Sequence, residues 1–85
     1  MEFSREKINS ISGKDDFVEF IYKLSNDFKD NHSEWTNQDI ESFLEALARW
    51  VEDSDGYYQN IGIVPPKIPD WKNVAEMLIA AKYYE

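Results

Sequence analysis

Eighty-five residues carry 17 acidic against 9 basic side chains, a single histidine and no cysteine. The net charge of −8 sets the chain against nucleic acid, because phosphate contacts need Lys and Arg, and against anionic lipid surfaces for the same reason. Without cysteine there is neither a disulfide framework nor a thiolate zinc site.

A chain this short makes one domain and buries roughly 60–65% of its unfolded surface, so its core depends on large side chains. Three Trp, five Tyr and five Phe supply them, each aromatic burying about 150–250 Å². The apolar share of 42% is too high for disorder. Met1 to Lys7 contains no apolar stretch suited to a secretory signal, and no run reaches the roughly 20 apolar residues of a membrane span. A cytoplasmic protein with no membrane or nucleic-acid partner is the expectation.

Residues 1–11 offer Phe3, Ile8 and Ile11 to a core and suit either one helical turn or an extended arm. Beyond them, Phe17, Phe20, Ile21, Leu24 and Phe28 recur at helical spacing, and Ser12 with Asp15 three residues on matches a start signal. Asp16, Glu19, Lys23, Asp27 and Asp30 are assigned to the opposite face. This helix is expected to fray near Asp30-Asn31, where acidic side chains meet the negative end of the helix dipole.

The next helix is expected over Trp35 to Asp55, with Ile40, Phe43, Leu44, Leu47, Trp50 and Val51 as its buried stripe. Thr36 is the expected cap, Trp35 and Ile40 a hydrophobic staple, and Gly56 the stop. Tyr57 to Pro69 then reads as a long loop, since Pro65-Pro66 and Pro69 exclude regular helix nearby. A last helix follows Asp70 as cap, burying Trp71, Val74, Met77, Leu78 and Ala81. The fold class is therefore all-α: a single domain over residues 1–85, built as a small bundle of three main helices with the Pro-rich loop packed across it.

Little in this chain supports catalysis. His32 has no second histidine or cysteine nucleophile to work with, and no glycine-framed nucleophile turn supports a Ser-His-Asp triad. Three scattered glycines form no phosphate-cradling loop. Glu52-Asp53-Ser54-Asp55-Gly56 sets alternate carboxylates before a glycine, as calcium loops do, yet no Glu lies between Asp55 and Glu76 to close such a loop. No catalytic, metal or cofactor site is expected.

Two features suit recognition instead. Glu41, Glu45 and Glu52 fall within about 40° of one another at ~100° per helical residue, a stripe that is either a docking surface for a basic partner or a solvated helix face. Tyr57 and Tyr58, read as neighbours in a loop, leave at least one ring accessible for an interaction or serve to cap the small core.

Trp35, Leu44-Glu45-Ala46-Leu47, Gly56-Tyr57-Tyr58-Gln59-Asn60, Pro69-Asp70-Trp71 and Ala80-Ala81-Lys82-Tyr83-Tyr84-Glu85 together resemble a bacterial family of small acidic proteins of unknown function. The likeness runs from about Asp16 to Glu85, and it implies no activity, since that family has none to carry over. The stretch Asp39 to Glu52 is also similar in pattern to the recognition region of the barstar family, acidic inhibitors of a basic ribonuclease. Those inhibitors are built on a parallel sheet, whereas helix-forming residues fill the C-terminus of this chain.

The expected function is a non-enzymatic, acidic protein-interaction domain, of inhibitor or immunity type, that covers a basic protein surface. Its contact candidates are Glu41, Glu45, Glu52, Asp53, Asp55, Tyr57 and Tyr58. The alternative is a structural homodimer, or a subunit of a larger complex, that pairs through exposed aromatics.

Overall fold

The computed structural model describes residues 5–64 and 67–84 and is all-α over them. Its helices are α1 (Arg5–Asn9), α2 (Lys14–Asn31), α3 (Ile40–Asn60) and α4 (Trp71–Tyr83), with a 3₁₀ turn over His32–Glu34. The three long helices are those expected, and α1 makes the described part of residues 1–11 a short helix. Phe3, Pro65, Pro66 and Glu85 lie outside the described residues.

Local chemistry sets each helix end, and it moves several expected boundaries. Gly13, not Ser12, is the N-cap of α2. Asp16 reaches back from the first turn and accepts from the Ser12 N–H at 3.1 Å and its hydroxyl at 3.0 Å, which pins the chain entering the helix without capping its first N–H groups. The backbone bond first, then the hydroxyl, hold the Asp16 carboxyl below the usual range.

For α3 the cap is Asp39, which accepts from the Ser42 N–H at 2.7 Å. Thr36 is committed elsewhere: its N–H and that of Asn37 donate to the Lys82 carbonyl at the end of α4, at 3.1 and 3.3 Å. No staple forms, because Ile40 is 72% exposed and Trp35 instead stacks on Phe43 with ring centroids 6.0 Å apart.

The expected stop at Gly56 is also overridden. The helix runs on to Asn60, and the glycine that ends it is Gly62, at φ +73°. There the Ile63 N–H bonds the Tyr58 carbonyl at 2.9 Å and the Gly62 N–H bonds that of Gln59 at 3.2 Å, a Schellman motif that only a residue tolerant of left-handed backbone completes cheaply. A glycine inside a helix costs about 1 kcal/mol; burial of Tyr58 on the added turn offsets it.

The connection to α4 therefore shortens to residues 61–70. Val64 and Ile68 in it are each 86% exposed, so neither side chain supplies the covering role expected of the loop. Asp70 caps α4 as expected, in a reciprocal box: it accepts from the Asn73 N–H at 2.9 Å, and the Asn73 side chain accepts from the Asp70 N–H at 2.8 Å.

Although last in order, α4 is the hub. Helices α1, α2 and α3 all pack on it, while the backbones of α2 and α3 do not approach each other closely. Ile11, Phe20, Leu24, Trp35 and Ala75 form the main core, flanked by Ile8, Phe17, Phe43, Leu78 and Ile79. Ala46, Ala75 and Ala81 are fully buried; their small side chains suit close approach at the α4 surface. The Trp50, Tyr57 and Tyr58 rings extend this packing along α3.

One polar node sits inside. Asp27, assigned from sequence to the outer face of α2, is partly buried and pairs with the buried Lys82 at 2.7 Å, with side-chain exposures of 10% and 4%. The Trp35 indole N–H donates to the same carboxylate oxygen at 2.8 Å, and Asn31 donates to the other oxygen at 3.3 Å. The Lys82 ammonium also lies 5.3 Å from the Trp35 ring centroid and 4.8 Å from that of Tyr83, within cation–π range. Next to this node the buried Asn37 amide donates to the carbonyls of Ala81 and Tyr84, at 2.8 and 2.7 Å. Burial pushes the Asp27 carboxyl up, but the hydrogen bonds from Lys82, Trp35 and Asn31 and the Lys82 charge more than reverse it. Burial likewise pulls Lys82 down, and its hydrogen bonds and charge interactions with Asp27 and Tyr83 leave it above the ordinary lysine value.

Asp27→Ala leaves the ammonium buried without its carboxylate and is expected to cost about 3–5 kcal/mol, read by urea unfolding. The double replacement Asp27→Leu with Lys82→Met should recover most of that loss. The depressed Asp27 contributes stability that is complete above the ordinary carboxylate range and lost as pH falls through its folded-state value. The raised Lys82 contributes stability complete below the ordinary lysine range and lost as pH rises through its own. The melting temperature should thus stay level through neutral pH and fall at both extremes, and Asp27→Asn should flatten the acid side.

The buried face of α3 gives a second expectation. Trp50→Ala should cost about 3–5 kcal/mol, while Ile40→Ala should change stability by less than about 1 kcal/mol; equal losses in parallel melts would place the face elsewhere.

A candidate interaction surface

Seen down its axis, α3 has more apolar surface than α4 covers. Ala46 and Trp50 are buried and Phe43 and Leu47 partly so, which puts the centre of burial at Ala46 and Trp50 rather than at Leu47. Ile40, Leu44 and Val51, expected in the same stripe, are 72%, 53% and 42% exposed. At ~100° per residue these three stand between the buried arc and the stripe of Glu41, Glu45 and Glu52. An apolar row thus borders an acidic one along the outside of the helix.

All three glutamates of the stripe are exposed, and Glu45 meets Arg49 one turn on at 3.8 Å. Asp53 and Asp55 are exposed too, on α3 itself. Asp53 accepts a hydrogen bond from the Tyr84 hydroxyl, which ties the end of the described chain back to α3. Tyr57 and Tyr58 lie on the helix, not in a loop. Tyr58 is buried and its hydroxyl meets Glu76 at 3.1 Å, so it serves the core. Tyr57 is partly buried between Trp50 and Tyr58, ring centroids 5.7 and 5.3 Å away. Glu41, Glu45, Glu52 and Asp55 therefore share the outside of α3, Asp53 is turned away from them toward the end of α4, and the two tyrosines largely face inward.

Beside the apolar row the bundle is open. Phe28, Trp35, Gln38, Asp39, Ile40 and Phe43 line a depression of about 300 Å³. A neighbouring one of about 270 Å³ shares Phe28, Trp35 and Phe43 and adds Ile21, Leu24 and Leu78. Together they form a cleft between α2 and α3, floored by α4. The sequence reading missed this surface by assigning every apolar residue of α3 to the core. A usable signal was present: residues 40, 43, 44, 46, 47, 50 and 51 span about 160° of the helix, well beyond the ~100° one buried face needs.

His32 is exposed, with its ring 5.5 Å from that of Phe28, and no group of three or more metal-ligating side chains occurs among the described residues. No helix among them is long and apolar enough to cross a membrane.

The model of a family of unknown function, DUF7660, matches residues 13–85. The chain belongs to this family. The DUF7660 match takes in α2, α3 and α4, the helices that build the hub and the cleft, and leaves out α1. No curated protein and no solved structure matches the chain. Stretches that carried the sequence resemblance have packing roles here, since Trp35 and Asn37 hold the end of α4 and Tyr58 fills the core. With no strand among the described residues, the likeness to the barstar family reaches no further than helix patterning.

The Asp53 contact makes a pH prediction. Its hydrogen bond to the Tyr84 hydroxyl raises the phenol above its ordinary value, with desolvation and the Asp53 charge adding and Arg49 opposing. In an ultraviolet titration referenced to Tyr84→Phe, Asp53→Asn should bring Tyr84 back toward about 10.

Proposed function

We propose that this chain is a non-enzymatic protein-interaction domain that covers a basic protein surface with the outside of α3, as an inhibitor or immunity-type protein does. The observation that carries the reading is the pairing of rows on one helix: Glu41, Glu45 and Glu52 beside the exposed Ile40, Leu44 and Val51. Carboxylates steer encounter with a cationic surface, and desolvated apolar side chains supply the affinity that surface charge pairs lack. Either row alone is ordinary on a helix; together they match the anatomy of an interface, an apolar strip with a charged rim. A cytoplasmic setting accords with the lack of cysteine.

The structural homodimer is the weaker reading. Each chain carries a net charge of −8, and pairing two copies sets like charges against one another.

Affinity capture with the native chain and with the triple variant E41K/E45K/E52K, run in parallel, tests the interaction. The captured protein should be basic. With the variant its association should slow and lose salt dependence, because these charges act over a Debye length of about 8 Å in physiological salt. Unchanged binding kinetics would reduce the acidic stripe to a solvated helix face.

A further inference from the structure

We infer that the cleft between α2 and α3 receives an amphipathic helix of the partner protein, apolar face inward and Lys or Arg along the edge that meets α3. This docking mode presupposes the interaction role of α3 and adds the form of the partner.

The backbones of the two helices each lie close against α4 but not against each other. Ile21, Phe28 and Phe43 therefore line an open depression over Leu78, and Phe28, Phe43 and Ile40 line its neighbour, with the Trp35 ring common to both. Three helices around a shared floor leave the place of a fourth. Along α3, Ile40, Leu44, Leu47 and Val51 follow one another at intervals of four, three and four residues, the spacing of a helix-packing seam. The seam meets the trough at Ile40 and continues from it along the outside of α3, and an apolar row that extends a groove is how a partner's helix is accepted.

Charge decides what kind of helix enters. Glu41, Glu45 and Glu52 directly follow seam residues Ile40, Leu44 and Val51, and Asp55 stands one turn beyond Val51, all four exposed. A second copy laid antiparallel along this seam would set Glu41 of one chain against Asp55 of the other, and like charges flanking a seam disfavour pairing. A helix with Lys or Arg at those flanks turns the same positions into attraction. The α2 rim carries Ser25 and Lys29 instead, both exposed. The cationic edge is thereby directed to α3 alone, which fixes which way round the helix lies.

The test titrates the full chain with a synthetic Leu/Lys amphipathic helical peptide. Its controls are a peptide of the same composition in an order that gives no apolar face, and a Leu/Glu counterpart. Binding is followed by tryptophan fluorescence and amide chemical shifts. One Leu/Lys peptide should bind per chain with shifts along Ile21, Phe28, Ile40 and Leu44, and the scrambled peptide should bind at least about tenfold more weakly. Leu44→Asp and Ile21→Asp should each weaken binding by about tenfold. Ile40→Asp, at the most exposed of these sites, serves if either variant fails its melting check. No binding of the Leu/Lys peptide, equal binding of the scrambled one, or indifference to the Asp variants overturns the proposal. So does self-association in sedimentation that Leu44→Asp abolishes, which assigns the cleft to a second copy. If a basic protein partner is lost with E41K/E45K/E52K but kept with the Asp variants, the helix mode alone fails. If both sets leave it bound, the interaction role of α3 fails as well.

Discussion

The ammonium of Lys82 and the carboxylate of Asp27 meet inside the molecule, against the Trp35 indole, and the remaining packing is arranged around that meeting. It joins the C-terminal part of α2 and the turn after it to the last turn of α4, 55 residues beyond Asp27. Asn37 completes the join by holding the carbonyls that α4 leaves unpaired at its end. A buried ion pair is a weak source of net stability compared with apolar packing, but a mispaired one is costly. Its effect is to select: only one placement of α2 along α4 satisfies both charges and the indole at once.

With α4 so fixed, the geometry of the other helices follows. A single helix at the centre can offer a face to α1, α2 and α3, but it cannot close the space between α2 and α3. The flanks that turn away from α4 stay open to solvent, which is why the same helix is core at Ala46 and Trp50 and surface at Ile40 and Leu44. In a chain of this size there is no further element among the described residues to cover them. The acidic neighbours Glu41 and Glu45 keep that surface soluble while leaving it available.

Periodicity made the helices themselves legible, since the repeats of Phe20 and Leu24, of Phe43 and Trp50, and of Val74 and Leu78 are strong. What it could not supply was how many neighbours each helix has. The apolar residues of α3 were all assigned inward because a lone helix is read as having one buried side. Asp27 was assigned outward because charge was taken as a sign of solvent, although it follows Phe20 and Leu24 at helical spacing, as Lys82 follows Ala75 and Leu78. Two opposite charges on two apolar stripes were the available hint of an internal pair. The cap at Thr36 and the stop at Gly56 failed for a different reason: long-range contacts claimed the backbone of Thr36 and the rings beyond Gly56. Asp70, with no such competitor, capped its helix as its sequence implies.

Because α4 is the shared partner and follows the others in the chain, a growing polypeptide makes α2 and α3 before it makes what they pack against. The backbones of those two helices do not approach each other closely, so they offer one another little support in the meantime. Neither Asp27 nor Trp35 has its cation until Lys82 is added. Native structure is thus completed late in elongation: α3 closes on its sequence neighbour α4, the largest interface, and α1 and α2 reach back to α4 across a longer stretch of chain. During translation the nascent segment exposes its aromatic residues for the whole interval before α4 is complete, the period in which a chaperone has the most to hold.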